Sequence, residues 1–132
     1  MTFHCDVAIL GAGPAGASAA IEAGKRGLAV MVFDEAPTAG GQVYRIAPLI
    51  RPAHHDHDRA AGDALRASLA DSRTDVRVRQ RIWDIECDDN GFTIHALGDD
   101  GPTRVRARAL IVANGAQERH VPVSGWERPG VI

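Results

Sequence analysis

Asp6-Val7-Ala8-Ile9-Leu10-Gly11-Ala12-Gly13-Pro14-Ala15-Gly16 is the stretch whose reading decides the fold. Its first part, Asp6 to Leu10, is a short apolar run that stops at a glycine, the pattern of a strand buried on both faces of a parallel sheet. Pro14 to about Arg26 then predicts a helix. It is rich in alanine (Ala15, Ala17, Ala19, Ala20, Ala23), proline stands at its start and Gly27 just past its end. So many small side chains give one thin face that packs closely. Leu28 to Phe33 is again apolar and ends in Asp34-Glu35, which completes a β-α-β unit whose crossover should be right-handed.

Gly11-Ala12-Gly13-Pro14-Ala15-Gly16 is a G-x-G-x-x-G run lying between that strand and that helix, the only context in which the pattern carries weight. Gly11 permits the tight turn, Gly13 lets backbone approach a pyrophosphate, and Gly16 lets the helix lie close on the strand. Free N–H groups and the positive end of the helix dipole, around Pro14 and Ala15, favour phosphate there. Asp34 follows Gly16 by 18 positions, at the end of the second strand, where its carboxylate can accept hydrogen bonds from ribose hydroxyls. Glu35 stands beside it. Carboxylates at this point repel a 2′-phosphate, so NADP is disfavoured, while NAD and FAD both remain.

Beyond this unit, residues 36–53 hold three of the seven prolines and Gly40-Gly41, which predicts an extended connection. Asp58 to Ser72 has helical spacing of Ala60, Ala61, Ala64, Leu65, Ala67 and Leu69, and Val76 to Arg79 reads as a short strand. Trp83, Ile85 and Cys87 alternate with polar residues, Asn90-Gly91 makes a turn, and Phe92, Ile94 and Ala96 alternate again. A second turn at Gly98-Asp99-Asp100-Gly101 precedes a third strand through Val105, which feeds one more buried strand at Leu110 to Ala113. The expectation is a single α/β domain over 1–132, Rossmann-like and three-layered: a parallel sheet, helices on one face and an antiparallel β-meander on the other.

Composition narrows the partners. The 132 residues carry a formal charge of −2 with both signs interleaved, which gives no positive field for nucleic acid. No apolar run approaches the roughly 20 residues that span a bilayer, and the first residues lack a signal-peptide pattern. The chain therefore reads as cytoplasmic, with no membrane partner. Cys5 and Cys87 lie far apart, outside any C-x-x-C arrangement, and read as small packed hydrophobes. His54, His55 and His57 with Asp56 and Asp58 match no zinc spacing and read as a solvated helix start, so no metal is expected. Arg77, Arg79 and Arg81 read as a solvated or partner-facing stripe on one strand, and Trp83 and Trp126 as packing residues.

Three stretches carry a resemblance that covers essentially the whole chain. They are the glycine fingerprint, Gly40-Gly41-Gln42-Val43-Tyr44-Arg45, and Leu110-Ile111-Val112-Ala113-Asn114-Gly115 with Pro122 and Gly125. Together they resemble the amino-terminal FAD segment of two-dinucleotide-binding-domain flavoproteins, the pyridine nucleotide-disulfide oxidoreductase superfamily. The Gly40–Arg45 run and the stretch from Gly115 to Val131 are most like the large subunits of the opine oxidase and hydrogen cyanide synthase group. Asn114 departs from that family's usual threonine.

The resemblance implies FAD as cofactor. It places Gly40, Gly41, Gln42 and Arg45 beside the flavin, Arg81 and Ile82 near the adenine, and Ala113, Asn114 and Gly115 where the family's chain leaves the FAD domain. It implies dehydrogenation of a small-molecule substrate, an amine, amino acid or opine, with electrons passed to a partner oxidoreductase subunit. NAD(P) would bind in a further domain, and 1–132 would be incomplete relative to the family and inactive alone. Lacking paired cysteines, the chain cannot relay electrons through a dithiol as many such relatives do. The residues themselves name no catalytic acid, base or nucleophile. A plain NAD-binding dehydrogenase domain and a non-catalytic dinucleotide-binding module remain the alternatives.

Overall fold

A computed structural model describes residues 1–46 and 56–116, together with 124, 125 and 128. The elements run β1 (Thr2–Leu10), α1 (Pro14–Lys25), β2 (Val30–Phe33), α2 (Asp56–Asp71), β3 (Thr74–Arg77), β4 (Arg81–Asp88), β5 (Gly91–Gly98) and β6 (Gly101–Val112). One six-stranded sheet has the order β3-β2-β1-β6-β5-β4. Its first four strands are parallel to one another, and β5 and β4 continue it antiparallel from β6.

Each side of the parallel strands buries its own cluster. Val7, Ile9, Val30 and Val32 pack with Ala17 and Ala20 of α1 and Leu69 of α2. The helix comes close because the residues it buries are Gly16, Ala17, Ala20 and Gly24. Ala8, Leu10, Met31 and Phe33 instead join Ile94, Ala96, Val105 and Ala107 of the meander. Helices and meander thus cover opposite faces, as the sequence predicts.

The meander is nevertheless continuous with the parallel strands in one sheet. The predicted third meander strand and the predicted buried strand after it are a single 12-residue strand, β6, which pairs with β5 at one end and with β1 from Arg104 onward. Its last residues are not buried as expected, since Ile111 is 38% and Val112 63% exposed. Cys5 belongs to the same cluster as Ala8, so alternation along β1 slips by one residue between them. The slip coincides with Asp6 N–H and Val7 N–H both donating to Ala29 O, at 2.8 and 3.1 Å, and Asp6 Oδ2 accepts from Ala29 N–H in return. The register of β1 against β6 is unbroken through this point, Cys5 pairing with Ala107 and Val7 with Ala109.

Other expectations need correcting. The predicted 76–79 strand ends at Arg77, because Arg79 adopts a positive φ of 55°. The three arginines therefore form no stripe: Arg77 lies over the Phe3 ring and pairs with Asp75, Arg79 faces Asp99, and Arg81 faces Glu35. Trp83 is 61% exposed rather than packed, since a register shift between Ile82 and Asp84 turns it out against the His95 ring. Cys87 is exposed, whereas Cys5 is buried as expected. His54, His55, Trp126 and most of 117–132 lie outside the described residues, while His57 and Asp58 fall inside α2. Among the described residues no helix is long and apolar enough to cross a membrane.

Ile9 is fully buried between sheet and helices, and Leu97 is half exposed on β5. Ile9→Ala should lower the unfolding free energy by about 2–5 kcal/mol in urea titration, and Leu97→Ala by about 1 kcal/mol or less. Equal losses would contradict the assigned core.

Candidate dinucleotide site

The crossover from β1 through α1 leads to β2 on one side of β1, while β6 returns on the other, so the topological switch point lies between β1 and β6. In open α/β sheets ligands bind just beyond the carboxyl ends of the strands at that point. Three segments meet there: the 11–16 turn, the loop from Gly40 to Arg45, and Ala113-Asn114 at the end of β6.

The three fingerprint glycines have different reasons to be glycine. Gly11 has a φ of 102°, and a Cβ there would lie 2.3 Å from Ala113 O. A Cβ on Gly16 would lie 1.9 Å from Gly11 O, which makes this the contact between helix start and strand end. Gly13 differs from both. Its backbone is extended (φ −69°, ψ −178°), a conformation open to any residue, and its Cβ would meet nothing nearer than Gly41 Cα at 3.7 Å. Among the described residues, neither backbone conformation nor a close neighbour demands a glycine there. Pro14 opens the helix, no side chain caps it and no acidic residue lies in its first turn. The N–H groups of Ala15 and Gly16, which have no intrahelical acceptor, are available to an anion.

Asp34 fastens the turn from beneath. Its Oδ2 accepts from Ala12 N–H at 2.6 Å and its Oδ1 from Ala36 N–H at 2.8 Å. Each oxygen keeps a second acceptor position. The strand ends around it are tied by Asp34 N–H to Arg77 O, Gln80 N–H to Asp34 O and Arg79 N–H to Ala36 O. This brings Arg81 to 3.8 Å from Glu35 at an exposed rim. The Ile82 side chain packs against the meander cluster instead of joining that rim.

On the other flank, Gly40 N–H donates to Ala12 O at 2.8 Å, and Gly41, with a φ of 60°, lies so near Gly13 that a Cβ would approach its Cα to 2.8 Å. Gln42 Oε1 accepts from the Arg45 guanidinium. Ala113 N–H extends the β1 ladder by donating to Leu10 O, while Asn114 and Gly115 are exposed beyond it. Sequence reasoning left out Ala12, whose N–H and C=O tie Asp34 and Gly40 to the same turn. Its place as a variable position of the motif gives no hint of this.

Away from the turn, Asp84, Glu86 and His95 gather on the outer side of the meander, with His95 Nε2 3.1 Å from Glu86 Oε1. Register places Arg104 opposite His95, which sets a cation beside this group. The Arg106 guanidinium, and secondarily the N–H of Asn90, hold the Asp88 carboxyl below its usual range. Burial, aided by the neighbouring Asp6 carboxylate, pushes the Cys5 thiol up to about 11.

A strand, glycine turn and helix with a carboxylate-braced loop at the switch point define a Rossmann-like dinucleotide-binding domain. The family model for pyridine nucleotide-disulphide oxidoreductases matches residues 5–131, and the chain belongs to that family. It is 38% identical to one of the opine oxidase subunits of Agrobacterium tumefaciens (strain Ach5), over 96% of this chain and 27% of that protein. It is 33% identical to hydrogen cyanide synthase subunit HcnB of Pseudomonas protegens, over 93% of this chain and 27% of that protein. The chain therefore spans about a quarter of the length of these relatives. Its fold is shared with the crystal structure of L-proline dehydrogenase from P. horikoshii, at a TM-score of 0.77 and 23% identity, covering 91% of this chain and 24% of that one.

Because Gly16 is held by protein contact and Gly13 is not, Gly16→Ala should lower the melting temperature by several degrees at least, while Gly13→Ala should leave it nearly unchanged. Differential scanning fluorimetry without ligand distinguishes them, and equal losses would contradict the division of roles. The thiols should also differ: iodoacetamide at pH 8 should label exposed Cys87 and spare Cys5. Cys5, whose thiolate forms only near pH 11 in the fold, should label at pH 8 once the chain is unfolded. Equal labelling of both in the native protein would refute this.

Proposed function

We propose that this chain is the FAD-binding part of a flavin-dependent oxidoreductase, a dehydrogenase or oxidase of amine, amino-acid or opine-type substrates that passes electrons to a partner subunit. The observation that carries the binding assignment is Gly13, a residue that nothing among the described residues requires to be glycine, at the uncapped start of α1. The pyrophosphate would lie over Gly13, Pro14, Ala15 and Gly16. The adenosine ribose would face the outer acceptor positions of Asp34 and the exposed carboxylate of Glu35, with the adenine near Arg81 and Ile82. Gly40 to Arg45 and Ala113 to Gly115 would flank the rest of the cofactor.

When bound, the isoalloxazine supplies the hydride or electron chemistry. The residues of this chain bind and orient it, and none is assigned as an acid, base or nucleophile. The substrate class and the electron-accepting partner are inferred from the relatives, since one is a subunit of an opine oxidase and another a subunit of hydrogen cyanide synthase.

Purification of the full-length protein after incubation with FAD and NAD+ tests the proposal. Retained flavin, absorbing at about 450 nm, is expected in the wild type and absent from a folded Gly13→Val variant, whose side chain fills the phosphate space. Unchanged flavin affinity in that variant would refute the assignment. Retention of NAD+ without flavin would favour a plain NAD-binding domain.

A further inference from the structure

Gly40 to Tyr44 forms a single turn, closed by Tyr44 N–H donating to Gly40 O at 3.1 Å. The carbonyls at its two ends, Ala39 O and Tyr44 O, are both taken by one side chain from α2. Arg66 Nη1 donates to Ala39 O at 3.1 Å and to Tyr44 O at 3.2 Å, and Nη2 donates to Asp63 Oδ1 at 2.7 Å.

The surroundings are shaped for this guanidinium. A Cβ on Gly40 would sit 2.9 Å from Arg66 Nη1, and a Cβ on Gly62 would sit 3.0 Å from Nη2 and 2.9 Å from the Tyr44 Cβ. Two glycines, one on the turn and one on the helix, leave room for Arg66 to reach the carbonyls. The other side of the turn rests on the 11–16 segment through Gly40 N–H and the close approach of Gly41 to Gly13. The turn is therefore held between α2 and the fingerprint.

We infer that Arg66 is a positioning residue for the dinucleotide site: by clamping the 39–44 turn, it fixes where Gly41 and Gln42 meet the bound cofactor. The inference rests on the proposal that the fingerprint turn holds a dinucleotide. A planar guanidinium can bond two carbonyls and a carboxylate at once, a geometry that the single ammonium of lysine reproduces only in part. Arg66 touches no reacting group, so its influence reaches the cofactor through the turn.

The test has two arms, both on the full-length protein. In the first, amide hydrogen exchange is followed without ligand in wild type, Arg66→Met and Arg66→Lys. Exchange at Gly40 and Tyr44 should quicken by about tenfold or more in Arg66→Met, and less in Arg66→Lys, while core amides such as Ile9 and Val32 keep their rates. In the second arm, FAD affinity should fall about tenfold or more in Arg66→Met and recover in part in Arg66→Lys. Unchanged exchange at Gly40 and Tyr44, or unchanged FAD affinity in Arg66→Met, would overturn the inference. Core amides quickening equally in both variants would also overturn it, because Arg66 would then support the fold at large. A wild type that binds no FAD would refute the functional proposal instead, and the exchange arm, which needs no ligand, would still decide the clamp.

Discussion

The approach of Gly16 to the carbonyl of Gly11, so tight that a Cβ would lie 1.9 Å from the oxygen, sets the position of everything at the carboxyl ends of the parallel strands. It places the first turn of α1 directly over the end of β1, with the helix's free N–H groups pointing out at the switch point. Any larger residue at 16 would lift the helix away. The thin face of α1, with Gly16, Ala17, Ala20 and Gly24 buried, continues this close contact down the strand. Helix packing and site geometry are thus one constraint.

Around this contact the remaining segments act as braces, and Ala12 is their common anchor. Asp34 holds the Ala12 N–H from the β2 side, and Gly40 holds the Ala12 carbonyl from the opposite flank. Ala113 closes over Gly11 from β6. A turn fixed from three directions loses little freedom when a ligand arrives, so less of the binding free energy is consumed by ordering it. Gly13 is the one fingerprint glycine left unconstrained by these braces, and it borders the space the braces enclose.

How much of this is legible in the sequence depends on whether a feature is local. The 6–16 stretch announces strand, turn and helix because every element of the signal is contiguous, and α1 and β2 follow with boundaries close to those observed. The continuity of β6 is hidden, because Arg104, Arg106 and Arg108 alternate through its middle while its end is apolar, so one strand reads as two. Trp83 escapes its predicted packing through a bulge that no pattern of alternation reveals. The end of β3 depends on a single positive φ at Arg79, a residue type that does not advertise one. Arg66 is the least legible of all. The two backbone carbonyls it clamps lie 27 and 22 residues away and carry no residue-specific mark.

The most direct measurement of the central claim is an experimental structure of the full-length protein with FAD bound, read for the position of the pyrophosphate. The account predicts phosphate oxygens against Gly13, within hydrogen-bond reach of the N–H groups that open α1, with Asp34 still bonded to Ala12. A dinucleotide bound elsewhere, leaving the space over Gly13 to solvent, would contradict it.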